Sequence, residues 1–138
     1  MPLKQWRNAL LKTKNNMVNG EFIENTPWIK VLIAWGQSVQ APFVILDTGF
    51  TGDLQVTPKI AQELGLKVIG VTKTQIANGA IIDVPVALAI AVMESAVNYI
   101  QVLISDSMPL VGISFLSKFN YKAIVNCKHQ TVVLERVL

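Results

Sequence analysis

An all-β domain with two short helices is what this sequence predicts, and three observations lead there. Runs of Val, Ile, Phe, Trp and Tyr recur along the chain between small clusters of Gly, Asn, Asp and Ser, the pattern of strands joined by tight turns. Only two stretches carry helix punctuation, and both are short. The composition, 51% hydrophobic and 15% charged over 138 residues with a mean hydropathy of +0.44, suits one core and is too apolar for disorder.

Pro27 to Trp35 and Val39 to Leu46 read as a hairpin turning at Gly36-Gln37-Ser38. A turn-rich segment, Asp47-Thr48-Gly49-Phe50-Thr51-Gly52-Asp53, leads to a short strand at Leu54 to Val56. Thr57 then looks like an N-cap, Pro58 a first helical residue and Gly65 a stop, with Ile60, Ala61 and Leu64 as the apolar stripe between them. Leu66 to Ile76 is read as a strand, and Asn78-Gly79 is the strongest short hairpin signal in the chain. The return arm, Ala80 to Met93, holds Pro85, which calls for a bend, a bulge or an edge position. Tyr99 to Ile104 forms a further strand, Pro109-Leu110-Val111-Gly112 leads into a short helix at Ser114 to Phe119, and strands at Tyr121 to Val125 and Thr131 to Val137 end the chain. Strand, glycine turn and short helix thus occur twice, around Asp47 to Gly65 and around Leu103 to Phe119.

Charge and cysteine usage exclude several chemistries. Lys4, Arg7, Lys12 and Lys14 make residues 1–16 a basic, acid-free N-terminal extension, distinct from a domain over 17–138 in which the chain's nine acids slightly outnumber the remaining bases. Lys59, Lys67, Lys73, Lys118, Lys122 and Lys128 are scattered singly, so no basic face for nucleic acid is expected. The extension has no apolar core for a secretory signal, since its only apolar run is Ala9-Leu10-Leu11, and Met17 is a candidate working start. No membrane span is expected either: the longest uncharged stretch, Val31 to Leu46, is broken by Gly36, Gln37, Ser38, Gln40 and Pro42, short of the roughly 20 mostly apolar residues required. Cys127 and His129 are single examples of their kind, which argues against zinc and against Ser-His or Cys-His catalysis and leaves them as hairpin residues. A lone cysteine suits a reducing compartment, the cytoplasm. The apolar excess predicts burial against a second copy.

The chemistry resides in Asp47. An apolar strand, Phe43-Val44-Ile45-Leu46, delivers it into Thr48-Gly49, and a carboxylate at the end of a core strand needs a partner or a task. Capping the turn is the plainer alternative. Phosphotransferases of the haloacid-dehalogenase and P-type ATPase kinds also begin at an aspartate after an apolar strand. The former want a second acid where Gly49 stands, the latter a lysine where Thr48 stands, and both use parallel α/β sheets.

Ile45 to Gly52, the Thr57-Pro58 helix, the Ala77-Asn78-Gly79 hairpin and Leu110-Val111-Gly112 before a second helix, in that order, resemble the retropepsin-like aspartic proteases over roughly Gly20 to Glu135. The resemblance implies a closed β-barrel with one or two short helices, a flap hairpin and an obligate dimer. It implies an aspartic endopeptidase with Asp47, Thr48 and Gly49 in the catalytic loop and no metal or organic cofactor. Ala77, Asn78, Gly79 and Ala80 would lie at the flap tip against a peptide or protein substrate, and Leu110, Val111 and Gly112 would pack behind the loop. Hydrolysis by this route takes two carboxylates sharing a proton, which favours mildly acidic pH. Asp53, Asp83 and Asp106 are not followed by Thr-Gly or Ser-Gly, so the second carboxylate would be Asp47 of a second subunit on a twofold axis. Thr48 would brace the pair. The chain departs from the family in its single tip glycine and in Ser114, where many relatives carry an acid or amide. Asp53 is expected as a solvated turn residue, Trp28 and Trp35 as strand packing and Met108 as a gap filler. The competing readings are a catalytically silent dimeric peptide-binding module of the same fold and a plain structural β-domain.

Overall fold

The computed structural model describes residues 16–76 and 78–138, and among these thirteen strands and two helices succeed one another. β1 (Met17–Asn19), β2 (Glu21–Ile23) and β3 (Thr26–Lys30) open the chain. Glu24 and Asn25 link β2 to β3 with φ of 51° and 62°, the backbone of a type I′ hairpin turn. Gly20 lets the chain pass between sheets, because a Cβ there would strike the Trp28 carbonyl and the Val132 and Ile29 side chains.

The run expected as one strand from Pro27 to Trp35 is two. Val31 turns a corner after β3, donating its N–H to the Pro42 carbonyl at 3.0 Å, and β4 (Leu32–Trp35) continues from it. The returning arm divides at the same level into β5 (Ser38–Gln40) and β6 (Phe43–Leu46), because Pro42 has no N–H for a ladder. The hairpin is therefore folded over on itself, β4 on β5 and β3 on β6.

β7 (Leu54–Val56) precedes helix α1 (Pro58–Leu64), whose ends follow the expected chemistry: the Thr57 hydroxyl accepts from the Ile60 N–H, and Gly65 closes the helix at φ 70°. β8 (Val68–Gln75) and β9 (Ile81–Met93) form the long hairpin. At its tip Gly79, with φ 87°, donates to the Ile76 carbonyl at 2.9 Å, and Asn78 Oδ1 accepts the Ala80 N–H at 2.9 Å. Pro85 faces Val71 of β8, while pairing on its other flank stops at Val86, so that flank has no ladder to interrupt; a bulge lies opposite, between Val68 and Gly70.

β10 (Ala96–Ile104) starts earlier than the expected Tyr99, directly after a turn in which Glu94 has φ 56°. β11 (Leu110–Val111), α2 (Ile113–Lys118), β12 (Tyr121–Asn126) and β13 (Thr131–Arg136) complete the chain. Ten strands form one sheet in the order β2-β3-β6-β11-β7-β10-β9-β4-β5, with β8 also on β9; β1-β13-β12 form a second sheet of three. The closed barrel implied by the resemblance is realised as a curled half-barrel whose ladder ends on β2 and β5 rather than joining into a ring.

The core lies inside this curl. Ala89 and Ala91 of β9 and Ile100 and Val102 of β10 share its inner face with Ile29, Ile33, Val44, Leu54, Val56, Val111 and Phe115, all fully buried. Each large aliphatic side chain buried there is worth about 1.5–3 kcal/mol. The smaller sheet is tied on by a polar cluster: the Tyr121 hydroxyl donates to Glu94 Oε1 at 2.6 Å, and the Arg136 guanidinium lies 3.6 Å from the same oxygen. Burial, reinforced by the bond to Glu94, holds the Tyr121 phenol above its ordinary range. Among the described residues no helix is long and apolar enough to cross a membrane.

Candidate active site

β6 lies between β3 and β11, with Ile45 opposite Leu110 and Leu46 opposite Val111 in parallel register. Asp47 therefore emerges at the C-terminal end of an internal strand. Its N–H donates to the Val111 carbonyl at 3.1 Å, its own carbonyl accepts the Phe50 N–H at 3.1 Å, and its Oδ1 accepts the Gly49 N–H at 2.9 Å. The carboxylate is half-buried, and no cation lies within ion-pair range of it among the described residues. The Gly49 bond is also the one a turn-capping aspartate makes, so one chain accommodates both readings of this residue.

Behind the loop, Val111 and Gly112 are buried and Leu110 is half-buried. The Gly112 N–H donates to the Asp53 carbonyl and the Ile113 N–H to the Phe50 carbonyl, both at 3.0 Å. A Cβ on Gly112 would collide with the Gly52 and Phe50 carbonyls, which is why a side-chain-free residue stands at this contact. The fold thus joins the loop that begins at Asp47 to Leu110, Val111 and Gly112, far away in sequence, through Asp47 to Val111 and through Asp53 to Gly112.

In front, a groove of about 380 Å³ separates the loop from the long hairpin. Gly49 to Gly52 form one wall, Thr72 to Gln75 of β8 the other, and Val86, Gln101 and Leu103 complete the lining. Phe50 packs on Val84, Val86 and Leu103, so a small apolar cluster couples the loop to the hairpin base. Thr48 is exposed beside the groove wall. Asn78, Gly79 and Ala80 are exposed at the hairpin tip and do not line the groove, which meets the hairpin arm instead; Ala77 lies outside the described residues. A larger cavity of about 450 Å³, between β1 and the Val92-to-Glu94 turn, contains none of the candidate residues. No group of three or more His, Cys, Asp or Glu side chains converges among the described residues.

Two expectations are corrected. Asp53 is not solvated: it is 3% exposed, and its Oδ2 accepts from Lys118 Nζ at 2.6 Å and from the Gln101 N–H at 2.9 Å. It immediately precedes β7, whose residues are all buried, and β10 and α2 close over it. A turn-like sequence context carried no sign of this, because Lys118 is 65 positions away. Met108 fills no gap: its side chain is exposed, and only its carbonyl is used, by Gln55 Nε2 at 2.9 Å. Trp28 and Trp35 are half-buried strand residues, and Cys127 and His129 lie in the exposed turn between β12 and β13.

No protein-family model matches the sequence, and neither does any curated protein. Among solved structures, the EIAV protease in complex with an inhibitor superposes with a TM-score of 0.61 at 18% identity, covering 75% of this chain and 96% of that one. A retropepsin-like aspartic protease from Rickettsia conorii gives 0.60 at 15% identity, covering 91% and 94%. The chain has the fold of the retropepsin-like aspartic proteases.

Proposed function

We propose that this chain is one subunit of a homodimeric aspartic endopeptidase, with Asp47 of each copy forming the catalytic pair. One observation carries the proposal: an Asp-Thr-Gly turn ends an internal strand, is braced from behind by Gly112, and opens beside a groove under a long hairpin, in a fold shared with proteases. One carboxylate of the pair takes a proton from the attacking water while the other, protonated, polarises the scissile carbonyl. One chain supplies one such aspartate, so the pair is completed across a twofold axis.

On this reading the groove takes an extended peptide by main-chain hydrogen bonds, and the Ala77-to-Ala80 tip closes over it as a flap. Thr48 braces the pair, and Gly49 permits close backbone approach. Leu110, Val111 and Gly112 keep a packing role. Residues 17–138 constitute the protease domain and 1–16 a basic extension. The exposed, unpaired Cys127 suits a reducing, cytoplasmic setting. No metal or organic cofactor takes part.

The test is cleavage of a mixed peptide library, read by mass spectrometry, by the parent and by Asp47→Asn across roughly pH 4 to 7. Cleavage by the parent alone supports the protease. Cleavage by both proteins, or by neither while the dimer is present, sinks it and in the second case favours a peptide-binding module.

A further inference from the structure

Asp53 has no part in the reaction just described, yet it is the point at which the candidate loop is fastened to the rest of the chain. It sits where the loop from Asp47 becomes β7. Its Oδ2 accepts from Lys118 Nζ at 2.6 Å and from the Gln101 N–H of β10 at 2.9 Å, and its carbonyl accepts the Gly112 N–H at 3.0 Å. Its other carboxylate oxygen is buried and takes no hydrogen bond from the protein. Lys118 is the last residue of α2, and its own carbonyl is held by Asn98 Nδ2 at 3.3 Å.

These bonds tie both ends of α2 to one loop. The N-terminal end reaches it through Gly112 and Ile113, which donate to Asp53 and Phe50, and the C-terminal end through Lys118. Asp53 is buried while Lys118 reaches it from a side chain that is more than a third exposed, so solvent screening and the desolvation of Asp53 offset most of the attraction and the pair is a poor device for stability alone. Its value is directional: one carboxylate oxygen must meet an ammonium from α2 and an N–H from β10 together, which few loop positions satisfy. Beyond its main-chain bonds to Val111 and Ile113 the loop has few side-chain ties, since Thr48, Gly49 and Thr51 are exposed and Phe50 is its sole apolar anchor.

We propose that Asp53 and Lys118 form a positioning pair that holds the Thr48-to-Gly52 loop, and through it the Asp47 carboxylate, in the geometry the reaction needs. The inference rests on the protease reading above. It is tested with Lys118→Met and Lys118→Arg, measuring peptide cleavage and amide hydrogen exchange by mass spectrometry. Lys118→Met is expected to lower kcat by about tenfold or more with KM changed by less than about twofold, as a displaced catalytic group does. Exchange across Thr48 to Gly52 rises by about tenfold while the β12–β13 hairpin is unaffected. Lys118→Arg restores most of both.

A folded Lys118→Met protein with parental kcat overturns the proposal, as does faster exchange that is uniform over the chain. If Lys118→Met does not fold, the double variant Asp53→Asn/Lys118→Met, which buries no charge, replaces it: reduced kcat with a loosened loop supports the pair, and parental kcat refutes it. A parent that cleaves nothing, or an Asp47→Asn variant that cleaves equally, defeats the protease reading instead, and the exchange pattern then still decides whether the pair holds the loop.

Discussion

Replacing Asp47 by Asn and by Ala separates the two tasks its carboxylate could perform. In one chain the carboxylate makes a single hydrogen bond to the protein, Gly49 N–H to Oδ1 at 2.9 Å, at a half-buried position. A bond of this kind contributes about 0.5–1.5 kcal/mol net. An asparagine keeps an Oδ1 acceptor in the same place, so Asp47→Asn should leave unfolding free energy within about 0.5 kcal/mol of the parent, whereas Asp47→Ala should lose about 1 kcal/mol. On the proposed reading, dimerisation responds in the opposite sense. Two carboxylates brought together on a twofold axis either repel or must take up a proton on association, and each opposes dimerisation at neutral pH. Relieving that cost should tighten the Asp47→Asn dimer by about tenfold, or roughly 1.4 kcal/mol. Sedimentation equilibrium at pH 7 reads the dissociation constant, and urea unfolding at a protein concentration low enough for the chain to be monomeric reads the stability of the single chain. A dissociation constant unchanged in Asp47→Asn would refute the facing carboxylates and leave Asp47 as a turn cap.

Three further outcomes are expected. Gly112→Ala drives a Cβ into the carbonyls of Gly52 and Phe50, combining overpacking of about 1–3 kcal/mol with loss of the two 3.0 Å bonds from Gly112 and Ile113; urea unfolding should show about 3–5 kcal/mol, while Gly70→Ala, where a Cβ meets nothing, stays within about 0.5 kcal/mol. Thr57→Ala removes a cap whose bond to Ile60 is 3.4 Å long, so about 0.5–1 kcal/mol should be lost in the same assay, and a larger loss would mean the hydroxyl does more than cap. The Tyr121 phenol titrates higher folded than unfolded, so its contribution is complete below the ordinary value of 10.0 and declines as pH rises past it, because only the unfolded chain then releases the proton. Unfolding measured from pH 8 to 11 should show that decline, and Tyr121→Phe should flatten it while costing about 1–3 kcal/mol at neutral pH through loss of the hydrogen bond to Glu94, whose Oε1 keeps only the 3.6 Å contact with Arg136.

What the sequence made legible is local chemistry. Thr57, Pro58 and Gly65 bound α1 as capping rules require, and Asn78-Gly79 turns the long hairpin, because these features are decided within a few residues. Asp47 and Gly112 were readable as members of an ordered motif. The unread features are those whose cause is distant. Leu110–Val111 is too short for any periodicity, and becomes a strand because β6 and β7 flank it. Met17–Asn19 and Glu21–Ile23 likewise form strands against β13 and β3. Val31 and Pro42 divide one expected hairpin into two because the sheet must curl, a demand absent from the local pattern. Asp53 stands in a turn-like string and reads as solvated until α2 brings Lys118 to it.

The distribution of bonds around the candidate loop gives it a direction. Its main-chain ties run backward into the chain, from Asp47 to Val111, from Gly112 to Asp53 and from Ile113 to Phe50, and its buried charge is answered from behind by Lys118. On the other side Thr48, Gly49 and Thr51 are exposed, and the groove begins. A turn existing only to connect two strands needs no such bracing: a two-residue link is cheaper and exposes less backbone. Clamping a glycine-bearing loop with an ion pair on a buried aspartate and a collision-limited glycine fixes the position of something it displays. The only ionisable side chain on the displayed stretch is Asp47. On the proposed reading, that rigidity is what lets two separate chains bring their carboxylates to the separation at which one proton is shared, a geometry that neither chain can adjust alone.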